Sequence, residues 1–245
     1  MTTTRALFRE DAYLTQCEAT VLAIGEDGVL LDQTVFYPLG GGQAGDAGAL
    51  VLADGTRIEI ADTRKAKFEG ATPDDALHVP APGQEALLAR LAAGERVRAE
   101  IDWARRHRHM RLHTASHLMC AVLPYPVDGC SITTDYARLD FATVEPIERE
   151  MVEARLAELV SGAHAVATEW ITDEEMAQRP ELVRTMSVQP PMGLGRVRLL
   201  RIDNVDLQPC GGTHVRNTQE IGALRVAKLE KKSARTRRLV LELAS

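Results

Sequence analysis

Two short spacings, His113-x3-His117 and Cys210-x3-His214, constrain this chain more than any other feature. Each sets two metal-ligating side chains four positions apart. On a helix, residues i and i+4 share a face, so His113 and His117 can grip one ion. Imidazole and thiolate together suit Zn2+, and four such ligands fill a tetrahedral shell. A fold that uses all four must therefore bring two distant stretches to one point. Taken singly, either pair could be ordinary core or surface residues. His109 lies one turn before His113 on the same face, where it could replace a ligand or hydrogen-bond to one. His78, His107 and His164 have no partner motif.

The remaining cysteines, Cys17, Cys120 and Cys130, do not form the spacing of a disulfide framework and read as small buried hydrophobes. In a reducing compartment, a Cys four positions from a His reads as a metal ligand. The first residues lack the apolar run of a signal peptide, and no stretch reaches the length needed to span a bilayer. A cytoplasmic protein with no membrane partner is the expectation. With 245 residues, 45% hydrophobic and 26% charged, the chain is long and apolar enough for a globular core. A net charge of −6 argues against a general nucleic-acid binder, but the basic residues are clustered. Arg105, Arg106, Arg108 and Arg111 precede the histidine pair; Lys228, Lys231, Lys232, Arg235, Arg237 and Arg238 crowd the C-terminus. Such local faces can hold phosphates, or simply be solvated.

Residues 5 to 102 read as strand-rich. Cys17–Ile24 and Val29–Phe36 flank the turn Gly25–Gly28, and Leu50–Ala53 and Arg57–Ile60 flank Asp54-Gly55, a strong hairpin signal. Glu95–Ile101 alternates again. This predicts a small antiparallel barrel, with the proline-bearing stretch Pro73–Pro82 as a loop. From Asp102 the pattern changes. Trp103–Leu123 has no glycine or proline and should be helical up to Pro124. Glu145–Gly162 reads as a second helix with Ile147, Met151, Ala154 and Leu159 buried. Thr172–Glu175 reads as a capping box opening a short helix. Arg196–Ile202, Ala223–Leu229 and Arg238–Leu243 read as strands. The fold class is α+β, with a β-rich, barrel-like domain over 1–100 and an α+β metal-binding domain over 101–245.

Three local sequences carry a family resemblance: His113-Thr-Ala-Ser-His117-Leu118, Pro209-Cys-Gly-Gly-Thr-His214, and Phe36-Tyr-Pro-Leu-Gly-Gly-Gly-Gln43-Ala-Gly-Asp46-Ala-Gly48. With them the chain resembles the editing domain of alanyl-tRNA synthetase, and most of all its free-standing relatives, the AlaX family of alanyl-tRNA editing proteins. The glycine-rich segment formally fits GxGxxG, but another hairpin follows it where a dinucleotide fold needs a helix. The resemblance implies Zn2+ on His113, His117, Cys210 and His214. It also implies a pocket involving Gly41, Gly42, Gln43, Ser131, Thr133, Gly211 and Gly212, with Gln43 and Thr133 the candidates for a catalytic part. Gln43 would contact the aminoacyl group or terminal ribose. Gly211 and Gly212 would supply turn geometry or backbone N–H groups.

By the same resemblance the protein is a zinc-dependent aminoacyl-tRNA deacylase. It would act in trans, with a monomer as the default, on the acceptor end of mischarged tRNA(Ala), chiefly Ser-tRNA(Ala) and secondarily Gly-tRNA(Ala). The chemical need is that a pocket sized for alanine rejects neither glycine nor a near-isostere that adds a hydroxyl. Four protein ligands leave two roles open for zinc, activating water or only organising the pocket. The absence of HExxH and GxSxG argues against a metalloprotease and a serine esterase. Two other readings are a threonyl-type enzyme acting on Ser-tRNA(Thr) and a non-catalytic zinc module that binds tRNA or a synthetase.

Overall fold

A computed structural model describes residues 4–183 and 195–244; part of the N-terminal stretch read for a signal peptide, residues 1–3, lies outside them. The fold is mixed α/β and divides into two compact units. The first comprises residues 1–40 and 44–107, the second residues 41–43 and 108–245. The glycine-rich segment is thus shared, since Gly41–Gln43 belong with the second unit.

The first unit holds a closed six-stranded barrel. Its strands run in the order Gln16–Gly25, Gly28–Leu31, Ala76–Pro80, Arg57–Lys65, Gly48–Val51, Arg96–Ile101, and the last pairs back onto the first, all antiparallel. Alternation decides which side chains fill it: Val21, Leu31, Leu50, Ile58, Ile60, Val97 and Ala99 point inward and are buried. Burying such a side chain stabilises by roughly 1.5–3 kcal/mol for a Val, Leu or Ile. Local chemistry sets the turns. At Asp54-Gly55 the Asp54 carboxylate accepts from Thr56 N at 2.9 Å, and Gly55 takes φ +85°. Gly28 has no room for a side chain, because a Cβ there would lie 2.3 Å from His78 O.

Two expectations for this unit change. Val29–Phe36 is not one strand; pairing in the barrel stops at Leu31, and Gln33–Thr34 pairs in parallel with Arg5–Ala6. Pro73–Pro82 is not all loop, because it contains the barrel strand Ala76–Pro80. Pro80 ends that strand opposite Ile60, where the register shifts between Ile60 and Asp62, the kind of irregularity at which a missing N–H is tolerated. Inside the strand His78 is fully buried, with Nε2 2.8 Å from Thr34 Oγ1 and Nδ1 2.9 Å from Val29 O. Burial pulls its pKa down to about 4, so it is held neutral.

The first unit also closes a charged pair. Asp46, from the glycine-rich segment, and Arg106 are both 0% exposed. The Arg106 Nε donates to Asp46 Oδ2 at 2.9 Å and its Nη2 bonds the same oxygen. The guanidinium also donates to Ala12 O at 2.9 Å and Val35 O at 2.6 Å, while Asp46 accepts from Tyr37 N at 2.7 Å. Buried charges persist when satisfied this fully.

The helix Trp103–Val122 begins where Asp102 accepts from Arg105 N at 3.0 Å, an N-cap bond. Its part from Arg108 onward lies in the second unit. That unit has a four-stranded antiparallel sheet ordered Leu224–Ser233, Thr236–Leu243, Tyr136–Ala142, Val127–Ile132. Gly42 O accepts from Ile132 N at 2.7 Å, and Gln43 bridges Ile132, so the glycine-rich segment extends this sheet's edge. A second sheet joins Val166–Thr172, Arg196–Ile202 and Asp206–Pro209. The helix Arg149–Ser161 packs on Leu224–Ser233, where Val226 N donates to Glu153 at 2.8 Å. It starts later than expected and turns another face inward: Val152 and Leu156, one turn apart, are buried, while Met151 is 43% exposed. The Thr172–Glu175 capping box forms, with both reciprocal bonds present.

Candidate metal centre

His113 and His117 sit on one face of the helix Trp103–Val122, and Cys210 and His214 flank a turn after the strand Asp206–Pro209. The four come together. Their ligand atoms lie within 4.8 Å of one another, and among the described residues no other such group is found. Cys210 Sγ is 3.2 Å from His214 Nε2 and 3.6 Å from His113 Nε2.

The three imidazoles are held alike. His113 Nδ1 is 2.8 Å from Gln43 Oε1, His117 Nδ1 is 3.1 Å from Asp206 Oδ2, and His214 Nδ1 is 3.2 Å from Thr114 Oγ1. Every Nδ1 is thus engaged outward, and every Nε2 is left for the cluster. Gln208 Nε2 donates to Asp206 Oδ2 at 2.8 Å. Behind Cys210, the buried Arg198 donates to Cys210 O at 2.7 Å and to Gly212 O at 3.0 Å, pinning the turn. Gly212 is required by space: a Cβ there would lie 2.2 Å from His113 Cε1 and 3.0 Å from Gln43 Oε1.

The electrostatics suit a cation. Burial alone would raise the Cys210 thiol, but His113, His214 and His117 outweigh it and hold the group well below the usual thiol range, as thiolate. Burial holds His214 down to about 3, hence neutral. Burial also lowers His117, but Asp206 and Cys210 overcome it and lift the group to about 10, so without a metal it carries a proton that a bound cation would displace. One thiolate and three imidazoles, each with its distal nitrogen already bonded, form a donor set that fits Zn2+.

The structure places the other candidates less uniformly. Gln43 lies beside His113, but its amide is buried and bonded to His113 and Thr213. Gly42 packs against Cys130, whose Sγ a Cβ would meet at 3.2 Å. Ser131 alternates with Cys130 and Ile132 and pairs across the sheet with Arg138, on the opposite face. The Thr133 hydroxyl is committed to its own turn, accepting from Asp135 N and Tyr136 N, each at 3.2 Å. His109 is buried with Nε2 3.2 Å from Thr134 Oγ1, and it is not one of the four clustered residues. Asp206, Gln208 and Arg198 support the cluster without belonging to any motif that singles them out in the sequence. Asp206, Gln208 and Cys210 do alternate at every second position, the signature of one strand face.

The two basic clusters also differ. Arg106 is buried against Asp46 and cannot face solvent. Arg105, Arg108 and Arg111 each donate to a backbone carbonyl, those of Gly45, Thr134 and Ile221. The Leu224–Ser233/Thr236–Leu243 hairpin keeps Lys231, Lys232 and Arg235 exposed near its tip. Arg238 and Lys232 pair with Asp140 at 2.7 and 2.9 Å. Among the described residues, no helix is long and apolar enough to cross a membrane.

Comparison with known proteins agrees with this geometry. The family model for the threonyl and alanyl tRNA synthetase second additional domain matches residues 197–240, the stretch that contains Cys210 and His214. The model for tRNA synthetases class II (A) matches residues 4–105. Alanyl-tRNA editing protein AlaX-M of Methanosarcina mazei is 34% identical over 249 residues, covering 98% of this chain and 96% of the relative. The AlaX-M of Methanosarcina acetivorans is also 34% identical, over 98% of this chain and 99% of its own length. The alanine–tRNA ligase of Pyrococcus abyssi is 34% identical over 93% of this chain, which spans 24% of that much longer protein. The chain belongs to the AlaX family of alanyl-tRNA editing proteins.

Proposed function

We propose that the protein is a trans-acting aminoacyl-tRNA deacylase that hydrolyses the ester of mischarged tRNA(Ala), chiefly Ser-tRNA(Ala) and secondarily Gly-tRNA(Ala). The observation that carries this reading is the convergence of His113, His117, Cys210 and His214 in a chain that matches AlaX-M relatives over nearly their whole length. These four residues would hold Zn2+. When bound, Zn2+ supplies Lewis-acid polarisation of an oxygen ligand. The chain's own part is to prepare the site. Cys210 brings a negative charge, the outward bonds of the three imidazoles fix their rings, and Arg198 locks the Cys210–Gly212 turn. Gly41 is exposed and Gly42 and Gly211 are partly so, and the aminoacyl end of the tRNA acceptor strand would lie against their backbone, whereas Gly212 is buried against His113. The cations at the hairpin tip, Lys231, Lys232 and Arg235, are the candidates for holding phosphates. The setting is the cytoplasm, where charged tRNA is made.

The test is a deacylation panel: Ser-tRNA(Ala), Gly-tRNA(Ala), Ala-tRNA(Ala) and Ser-tRNA(Thr). The expected result is rapid cleavage of the first, cleavage of the second, and sparing of the last two. Preference for Ser-tRNA(Thr) would replace this reading with a threonyl-type one, and binding without cleavage would make the protein a non-catalytic module. Ser131→Ala and Thr133→Val in the same assay ask whether either hydroxyl reads the serine side chain.

A further inference from the structure

The side-chain amide of Gln43 has one orientation compatible with its neighbours. Thr213 N can only donate, and it lies 3.1 Å from Oε1, so that atom is the acceptor. Nε2 then donates to Thr213 Oγ1 at 2.9 Å. Because Oε1 is an acceptor, His113 Nδ1, 2.8 Å away, must carry a proton. A backbone N–H therefore fixes the amide, and the amide fixes Nδ1 as a protonated nitrogen of His113, leaving Nε2 as the atom turned toward Cys210. Thr114 does the same for His214. Its hydroxyl gives its proton to Met110 O at 2.9 Å, and its oxygen is left to accept from His214 Nδ1. Asp206 accepts from His117 Nδ1. Gln43 differs from these two in origin: Thr114 lies on the helix that carries His113, Asp206 lies on the strand that leads to Cys210, and Gln43 lies on neither. It comes from a segment 70 positions before His113 and 170 before Thr213, and it bonds both.

From this we infer that Gln43 is a positioning residue for the metal site: it holds His113 with Nε2 toward the ion and ties Gly41–Gln43 to the Cys210–His214 turn. It is not a reader of the aminoacyl group. Gln43 is 0% exposed, and Oε1 already accepts two bonds. Gly212 Cα sits against the His113 ring and Gln43 Oε1, so any side chain there would part the two. The inference rests on the metal-site reading above.

The experiment compares two near-isosteric variants of the full chain. Gln43→Met keeps the length of the side chain and removes the acceptor. Gln43→Glu keeps an acceptor for both His113 Nδ1–H and Thr213 N–H. Zn2+ affinity is measured by chelator competition, and ligand geometry by the absorption spectrum of the Co2+-loaded protein. Loss of such a supporting partner weakens metal affinity on the order of 10- to 100-fold. That loss, with an altered Co2+ spectrum, is expected for Gln43→Met, whereas Gln43→Glu should stay close to wild type. Wild-type affinity and spectrum in Gln43→Met would overturn the inference, and so would equal loss in both variants. If Gln43→Met instead raises KM for Ser-tRNA(Ala) with metal binding intact, Gln43 is a substrate contact. If the wild-type chain itself binds neither metal, the metal-site reading falls, and this inference falls with it.

Discussion

Gln43 and Asp46 lie three positions apart in one glycine-rich segment, and both are fully buried, yet they end on different partners. Asp46 meets Arg106 in the first unit, where a carboxylate and a guanidinium satisfy each other with help from Tyr37, Ala12 and Val35. Gln43 meets His113 in the second unit, where the imidazole turns its other nitrogen toward three more donor atoms. The first cluster is closed: charge and hydrogen bonds balance within the protein. The second gathers a thiolate and three ring nitrogens that face one another, with Gly212 N 3.4 Å from the sulfur, a donor set that could hold a cation. One segment of sequence thus serves structure at one end and the site at the other.

The sharpest way to break this contrast is to remove Asp46. Asp46→Ala leaves the Arg106 guanidinium buried without its counter-charge, and such losses cost about 3–5 kcal/mol. Urea denaturation of the variant should show it, while metal content per folded molecule stays at the wild-type value. A stability loss under about 1 kcal/mol would mean that the pair is not closed in the sense argued here.

His78 extends the contrast to a second polar group of the barrel. Its folded pKa, about 4, lies below the ordinary value of 6.5, so between those pH values the unfolded chain takes up a proton that the folded chain refuses. Its contribution is therefore complete above pH 6.5 and is lost as pH falls toward about 4, on the order of 3 kcal/mol in all. His78→Gln should lose less stability between pH 7 and pH 5 than the wild type does. Parallel pH curves for the two proteins would contradict the assignment.

A smaller effect is expected at the turn of the metal centre. Gly212→Ala must displace either the His113 ring or the Gln43 amide. Zn2+ affinity should fall by at least the roughly 10-fold expected when a ligand's support is disturbed, with the barrel's stability unaltered. Calorimetric titration reads the first quantity, and an unaltered affinity would mean that the turn relaxes without moving either group. Smallest of all, Lys231→Ala with Arg235→Ala should weaken tRNA binding across all sequences and reduce its salt slope by about 1 for each phosphate no longer neutralised. An unchanged slope would leave those cations solvated.

Much of this is legible in the sequence because local chemistry imposes it. The Asp54-Gly55 turn, the Thr172–Glu175 box, the strand Arg196–Ile202 and the helix carrying His113 and His117 each follow from short-range rules. The Asp46–Arg106 pair and the Gln43–His113 bond are not legible, since their partners lie 60 and 70 positions apart and only the fold brings them together. Arg106 shows the limit clearly. In sequence it is one more arginine in a basic run, and in the structure it is buried and paired. The strand Ala76–Pro80 is hidden by prolines at its borders, which read as breakers until its neighbours in the barrel are known. The inward face of Arg149–Ser161 departs from the expected stripe because choosing its phase requires knowing the sheet that it covers.

The central claim is that the His113, His117, Cys210 and His214 cluster, holding a metal ion, is where mischarged tRNA(Ala) is hydrolysed. The most direct measurement is the rate of Ser-tRNA(Ala) deacylation by one preparation as purified, after metal removal by chelation, and after readdition of Zn2+, with circular dichroism recorded at each stage. The account predicts hydrolysis in the first state, its loss in the second, and its return in the third with one equivalent bound. Undiminished hydrolysis by folded, metal-free protein would contradict it.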